Sequence, residues 1–136
     1  MVCERSHPTH SPRRGWPAAA VLGTVAAAAW EIARRCRRLE VVGDSMLPSF
    51  EAGDRLLAVR AGRIRPGDVV AVPDPGQEGR LLVKRVHSVS RDSLEVRGDN
   101  DSASTDSRTF GPVRRSAVVG KIVYRYAPTE RATWRP

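Results

Sequence analysis

From residue 41 onward the chain consists of short apolar runs separated by turn residues, and this texture limits its fold more than any other feature. The apolar runs lie at residues 56–59, 69–72, 81–89, 94–96 and 118–126. Glycine, proline and aspartate stand between them, as in Gly53-Asp54 and in the Pro-Gly-Asp of residues 66–68. Runs that are this short and this often interrupted are typical of strands joined by tight turns. We therefore expect a mainly β domain, a barrel or a sandwich, over residues 39–128.

The chain on either side of this domain has a different character. Residues 1–15 are polar and rich in proline and arginine, which predicts a disordered basic tail. Residues 16–38 start with Trp-Pro, continue through an alanine-rich stretch and end in arginines, which predicts an apolar helix whose first turn contains the proline. Residues 129–136 are assigned to a C-terminal tail.

The alanine-rich helix is the candidate membrane anchor. The fourteen residues from Pro17 to Trp30 carry no charge, and tryptophans at both ends of the stretch are typical of a membrane interface. A full span needs about 20 apolar residues, with about 17 as the lower limit. Two alternatives therefore stay open: a cleaved signal peptide with a small-x-small site at 27–29, and an amphiphilic helix lying on the domain or on a bilayer surface. We expect a single-pass anchor in the plasma membrane, with arginines at 34–38 favouring a cytoplasmic β domain and the side otherwise open.

The formal charge of +8 does not predict a nucleic-acid partner. The charge divides evenly between residues 1–40 and the remainder, so the β domain has a mixed surface and no basic stripe. Aromatic residues, on which bases would stack, are only 5% of the chain. Cys3 and Cys36 have no CxxC or Cys/His ligand spacing, so we expect no metal and no other cofactor.

Lysine is rare in this chain, since only Lys84 and Lys121 among its 23 basic residues are not arginine. A guanidinium stays charged in a protein, whereas a buried ammonium can lose its proton and act as a base. Strand alternation puts Lys84 on the more apolar face of its run, together with Leu82 and Val86. Desolvation on that face would lower the pKa of the amine. The alternative is that the side chain extends to solvent.

A hydroxyl that such a base could activate lies in the segment Gly-Asp-Ser-Met-Leu-Pro, which starts at Gly43. Gly43 permits a positive φ, and after Asp44 a backbone N–H beside Ser45 could then point at a developing oxyanion. Met46 and Pro48 would form the wall of a cleft at this turn. The alternative is an ordinary turn with a capping serine.

Four segments taken together resemble the signal peptidase I family of membrane-bound serine endopeptidases. They are Gly-Asp-Ser-Met-Leu-Pro at 43–48, Arg-Pro-Gly-Asp-Val-Val at 65–70, Val-Lys-Arg-Val at 83–86, and the stretch 98–111 with Gly-Asp-Asn and Ser-Thr-Asp-Ser-Arg-x-Phe-Gly. Four motifs in this order are far more specific than any one of them. The resemblance covers most of residues 40–126.

The resemblance implies an activity, a fold and a partner. Ser45 would be the nucleophile and Lys84 the general base, Ser104 would orient the lysine amine, and Asp106 and Arg108 would support the site. The fold implied is a coiled antiparallel β-barrel behind an N-terminal membrane helix. The partners implied are membrane lipid and a precursor protein whose N-terminal leader binds as an added strand and is cut after small residues.

The chain also departs from the family pattern. Gly43 stands where some bacterial members place a serine hydroxyl in the oxyanion hole, and only fourteen positions separate Lys84 from Gly98. This compact form, with its sequence at 104–111, is similar to the subgroup that trims the leader of nickel superoxide dismutase. Two other functions remain: a non-catalytic, membrane-tethered β module that binds extended peptides, and a self-cleaving repressor-like Ser/Lys protease. The latter would need a DNA-binding helical domain upstream, and residues 1–40 have no helix-turn-helix pattern.

Overall fold

A computed structural model of the protein describes residues 18–134, without the side chains of residues 18–22, 29 and 32. The chain divides into two units, one that ends at Ile32 and one that begins at Ala33. The predicted disordered tail at residues 1–15 lies outside the described residues.

Helix α1 occupies Ala18–Arg35 in the alanine-rich segment. It ends three residues before the predicted boundary at residue 38. The reason is that Cys36–Glu40 forms strand β1, which is held by an antiparallel partner strand and not by helical hydrogen bonds. Within the described residues, no helix combines the length and the apolar character needed to cross a membrane, and the predicted span is not found there.

In the described part of the chain eight strands form one antiparallel sheet, and the predicted apolar runs lie in it except for Val118 and Val119, which precede β7. The strands are β1 Cys36–Glu40, β2 Arg55–Val59, β3 Val69–Pro73, β4 Leu81–Val89, β5 Ser93–Arg97, β6 Val113–Arg114, β7 Gly120–Ala127 and β8 Thr133–Trp134. A one-turn helix, α2, occupies Ser107–Phe110, and short 3-10 turns occupy Asp101–Ala103, Arg115–Ala117 and Thr129–Arg131. The segment assigned to a C-terminal tail thus includes a 3-10 turn and strand β8, which pairs with β7.

The sheet is mainly antiparallel as predicted, but the prediction of a barrel is wrong for the described strands. Their order is β1-β2-β7-β3-β4-β5-β6, with β8 attached to β7. β1 and β6 end this path and are not paired with each other, so the sheet stays open. Strand β6 has only two residues, which offers little backbone for a closing partner.

Two apolar clusters are formed on the sheet, and β3 contributes to both. Val69 belongs to the first cluster, and Val70 and Val72 belong to the second. Alternate residues of a strand point to opposite faces, so a strand with apolar residues at every position can serve two clusters. The first cluster also contains Met46 and Phe50 from the turn after β1. Burial of a side chain of this size contributes roughly 1.5–3 kcal/mol, so this turn is fixed from its apolar side.

Candidate active site

Ser45 lies in a turn that is anchored on both sides. Gly43 has a φ of +83°, the left-handed conformation predicted for it. The backbone N–H of Phe50 donates to the carbonyl of Met46 at 2.9 Å, and both side chains are buried. Ser45 itself is half-buried, and Asp44 is exposed. The serine is therefore held at the surface by a turn whose following residues belong to the core.

Lys84 is a buried lysine on β4. Only 1% of the residue is exposed, which excludes the alternative in which the side chain extends to solvent. Its Nζ donates a hydrogen bond to Ser104 Oγ at 2.9 Å. Burial lowers the pKa of the Lys84 amine, and the nearby carboxylate of Asp106 opposes this effect. The structure thus favours the neutral amine more than water would.

Ser104 connects the lysine to a buried carboxylate. Its hydroxyl donates to Asp106 Oδ2 at 2.8 Å, so its one proton is committed there. The oxygen of Ser104 must then accept from Lys84. A neutral amine that uses one N–H on Ser104 keeps its lone pair directed elsewhere, and a lone pair is what a general base needs.

Asp106 is kept ionised by a fixed set of donors. Arg108 donates to Oδ1 from Nε at 2.9 Å and to Oδ2 from its terminal nitrogen at 2.7 Å. The backbone N–H of Gly98 donates to Oδ2 at 3.0 Å. These bonds, those of Arg108 above all, hold the pKa of Asp106 far below its usual range although the residue is fully buried. Arg108 also pairs with Asp101 at 2.9 Å, so its own orientation is fixed.

Gly98 is a site residue that the sequence motif contained but that we assigned no role. A Cβ on Gly98 would come closer than 3.0 Å to both the Ser104 hydroxyl and the Ser45 carbonyl oxygen. Asn100 adds two bonds to the same turn, from its backbone N–H to the Ser45 carbonyl and from its side chain to the Asp44 carbonyl, both at 3.1 Å. The strand end at 98–100 therefore fixes the backbone of the candidate nucleophile, and only glycine fits at its first position.

The side chain of Arg85 links the remaining motifs on the opposite face of β4. It donates to both carboxylate oxygens of Asp99 at 2.8 Å, to the Gly67 carbonyl at 3.0 Å and to Ser49 Oγ at 3.3 Å. This pairing raises the pKa of Arg85 and lowers that of Asp99. The motifs at 65–70, 83–86 and 98–111 thus meet at Arg85, which also reaches Ser49, the residue that follows the motif at 43–48.

Ser45 and Lys84 line the same open cavity, which has a volume of about 350 Å³. Gly43 and Asp44 line it too. A second cavity of about 340 Å³ is lined by Ser45, by Met46 and by apolar residues of β4. Pro48 is exposed and lies outside the lining of both. The geometry therefore brings a hydroxyl and a depressed-pKa amine to one solvent-accessible space, with a second groove beside them.

Comparison with known families places the chain among the peptidase-like proteins, because residues 19–123 match the Peptidase S24-like family. The chain belongs to this family, and the predicted relationship to signal peptidase I is confirmed because its relatives are signal peptidase I-like proteases.

Three relatives illustrate the similarity. The mitochondrial ATP-independent inner membrane protease subunit 1a of Arabidopsis thaliana is 37% identical over 117 residues, covering 66% of this chain and 70% of the relative. The mitochondrial inner membrane protease subunit 1 of Xenopus tropicalis is 31% identical over 112 residues, covering 65% and 67%. Subunit 2 of the same protease from Schizosaccharomyces pombe is 30% identical over 117 residues, covering 68% and 65%.

Proposed function

We propose that this protein is a serine endopeptidase with a Ser45/Lys84 dyad that removes N-terminal leader or signal peptides from precursor proteins. The observation that carries the proposal is the buried Lys84 amine, which is oriented by Ser104 and lines the same cavity as Ser45. Membership of a peptidase family supports the same reaction class.

The proposed reaction is acyl transfer through an ester on Ser45. The neutral Nζ of Lys84 takes the Oγ proton as Oγ attacks the carbonyl carbon of the scissile bond. The resulting oxyanion would be stabilised by backbone N–H groups of the turn, because Gly43 contributes no hydroxyl. The lysine ammonium then returns the proton to the leaving amine as the C–N bond breaks. In the second half the amine activates a water, which hydrolyses the ester and frees Ser45.

Ser104, Asp106 and Arg108 act in this scheme through the lysine. The Asp106 carboxylate accepts a hydrogen bond from the Ser104 hydroxyl, so the Ser104 oxygen accepts a hydrogen bond from Lys84 in every step. Base catalysis by a positioned group contributes about 10²- to 10⁴-fold, and this contribution depends on the direction of the lone pair. The three residues are thus positioning residues.

The groove beside Ser45 supports an extended peptide as substrate. β3 pairs with one edge of β4 over residues 81–85, whereas β5 pairs with the other edge only from Arg85 onward, which leaves that second edge unpaired by β5 over residues 81–84. A leader peptide can add to that second edge as a strand. Apolar residues line the groove, among them Val41, Leu82 and Val83, and they suit small apolar side chains. The similarity of residues 104–111 to the nickel superoxide dismutase maturation subgroup makes that leader the first substrate to test.

We further propose that the protein works at a membrane, with lipid as its second partner. The relatives are named inner membrane protease subunits, and this supports a membrane setting for the present chain. Floatation of the full chain with liposomes, compared with a chain that starts at residue 33, tests this part. Equal recovery of both chains in the soluble fraction would contradict it.

The dyad is tested by cleavage of a leader-bearing precursor. Wild type, Ser45→Ala, Lys84→Arg and Lys121→Arg are compared, with the last as the matched lysine control. We expect cleavage by wild type and Lys121→Arg, and none by the other two, because a guanidinium cannot act as the base. Cleavage at the wild-type rate by Lys84→Arg would overturn the dyad. Binding of the leader by the wild type without cleavage would indicate a peptide-binding module.

A further inference from the structure

Arg80 lies where the two cavities at Ser45 meet. Four residues line both cavities: Val42, Ser45, Arg80 and Leu82. Arg80 stands directly before β4, and the hairpin loop around it is fixed by two backbone bonds, Asp74 N–H to the Arg80 carbonyl at 3.0 Å and Arg80 N–H to the Gln77 carbonyl at 3.2 Å. A peptide that lies in the groove with its scissile bond at Ser45 must therefore pass this arginine.

The guanidinium of Arg80 has donors to spare. Its side chain is 51% exposed, its Nε is 3.6 Å from Asp74 Oδ2, and one terminal nitrogen donates to Gln77 at 3.3 Å. A separation of 3.6 Å is an ion pair without a good hydrogen bond, and a guanidinium has five N–H donors. Arg85 on the same strand is different, because all three of its nitrogens are engaged by Asp99, Gly67 and Ser49. The charge of Arg80 helps to lower the pKa of Lys84, but no step of the described cleavage reaction uses its N–H donors.

We infer that Arg80 is a specificity-determining residue, which pairs with a carboxylate of the substrate next to the scissile bond. The inference rests on the proposed peptidase function. A guanidinium binds a carboxylate through two parallel N–H···O bonds, a geometry that a lysine does not offer. In the substrate complex the carboxylate takes the place of the loose Gln77 contact.

Acidic residues around the groove limit the proposed preference for a substrate carboxylate to a direct contact with Arg80. Glu40 lines one cavity and Asp44 the other, and both are exposed. They repel a substrate carboxylate at long range, but exposed charges are screened by salt over about 10 Å. The gain therefore comes only where the substrate carboxylate contacts Arg80 directly, at one substrate position and not across the leader.

The experiment compares matched peptides. The leader peptide is made with Asp, Asn or Lys at each position flanking the scissile bond, and kcat/KM is measured for wild type, Arg80→Gln, Arg80→Glu and the exposed control Arg91→Gln. We expect wild type and Arg91→Gln to prefer Asp over Asn by about 5- to 10-fold at one position, which corresponds to about 1–1.4 kcal/mol. Arg80→Gln removes the preference, and Arg80→Glu transfers it to Lys.

Dissociation constants of the same peptides for Ser45→Ala, alone and combined with Arg80→Glu, separate this inference from the proposed function. Absence of any cleavage by wild type together with an Arg80-dependent preference for Asp in binding would overturn the peptidase and support the role of Arg80. Equal kcat/KM for Asp and Asn at every position, or a preference that persists in Arg80→Glu, would overturn the inference while the peptidase stands.

Discussion

Lys84 and Ser104 are joined by a hydrogen bond of 2.9 Å across twenty positions of sequence. The Ser104 hydroxyl donates its own hydrogen bond to Asp106. In the bond between Lys84 and Ser104 the amine is therefore the donor and the hydroxyl oxygen is the acceptor. That direction distinguishes an oriented base from a lysine that is merely buried, because it leaves the lone pair of the neutral amine for the proton of a nucleophile.

Replacement of Ser104 by alanine tests this orientation. Ser104→Ala removes the acceptor of the amine and leaves Asp106 held by Arg108 and Gly98. We expect kcat/KM for leader cleavage to fall by about 10- to 100-fold, mostly in kcat, since base catalysis depends on geometry. Ser102→Ala in the same loop is the matched control, because that hydroxyl donates only to Asn100 at 2.7 Å. Equal losses in the two variants would contradict the orienting role.

The pH dependence of cleavage should report the pKa of Lys84. The base works when neutral, so kcat/KM rises as pH passes upward through this pKa. Burial lowers that pKa below 10.5, so the midpoint of the rise should lie below pH 10.5. Asp106→Asn removes the carboxylate that raises the lysine pKa and leaves the Arg108 charge that lowers it, so its rise should move to lower pH. A rise centred at or above 10.5 in the wild type would contradict the lowered pKa.

The burial of Lys84 also lowers the free energy of unfolding at neutral pH, where the amine has to be desolvated in its charged form or lose its proton. The folded pKa lies below the unfolded one, so between these two values the unfolded chain binds more protons and stability increases with pH. Lys84→Met fills the space without a charge and should lose this increase, while cleavage is abolished. The measurement is urea unfolding of both proteins at pH 7 and pH 10. If the wild type instead loses stability relative to Lys84→Met as pH rises, the pKa of Lys84 is raised on folding and not lowered.

Gly98 should tolerate no side chain, because a Cβ there would lie within 3.0 Å of Ser104 Oγ, Ser104 Cβ and the Ser45 carbonyl oxygen. The methyl group of Gly98→Ala must displace the Ser104 hydroxyl or the Ser45 carbonyl. We expect at least a 100-fold loss of kcat/KM, since small displacements of reacting groups have effects of this order, about 10²-fold for 1 Å. Gly62→Ala is the control, because its Cβ would meet nothing within 4 Å and its φ is ordinary. Full activity of Gly98→Ala would show that the two groups need not be where the structure has them.

The sequence predicted elements whose signal is local and failed where contacts over distance decide. The run at 81–89 coincides with β4, because strand alternation is visible in a single segment. The helix was predicted to extend to residue 38, but Cys36–Glu40 is a strand through its pairing with β2, which lies fifteen or more positions away. The prediction of a barrel was wrong for a related reason, because closure of a sheet depends on whether its two edge strands pair with each other. Arg80 carries no motif, and its place at the cleft follows only from the folded hairpin.

An ion pair between Arg125 and Asp54 anchors the turn that carries Ser45. Arg125 on β7 donates to Asp54 Oδ2 at 3.1 Å and to the Ser49 carbonyl at 2.9 Å. Asp54 is fully buried and keeps Arg131 and the Glu51 N–H as partners, so Arg125→Met removes one of its charged donors and the donor of the Ser49 carbonyl and should lower the free energy of unfolding by about 2 kcal/mol. Lys121→Met on the same strand is the control: its pair with Asp68 at 2.7 Å is partly exposed, so the expected loss is below about 1 kcal/mol. The midpoints of urea unfolding decide between them, and equal midpoints for the two variants would mean that Arg125 does not anchor the turn.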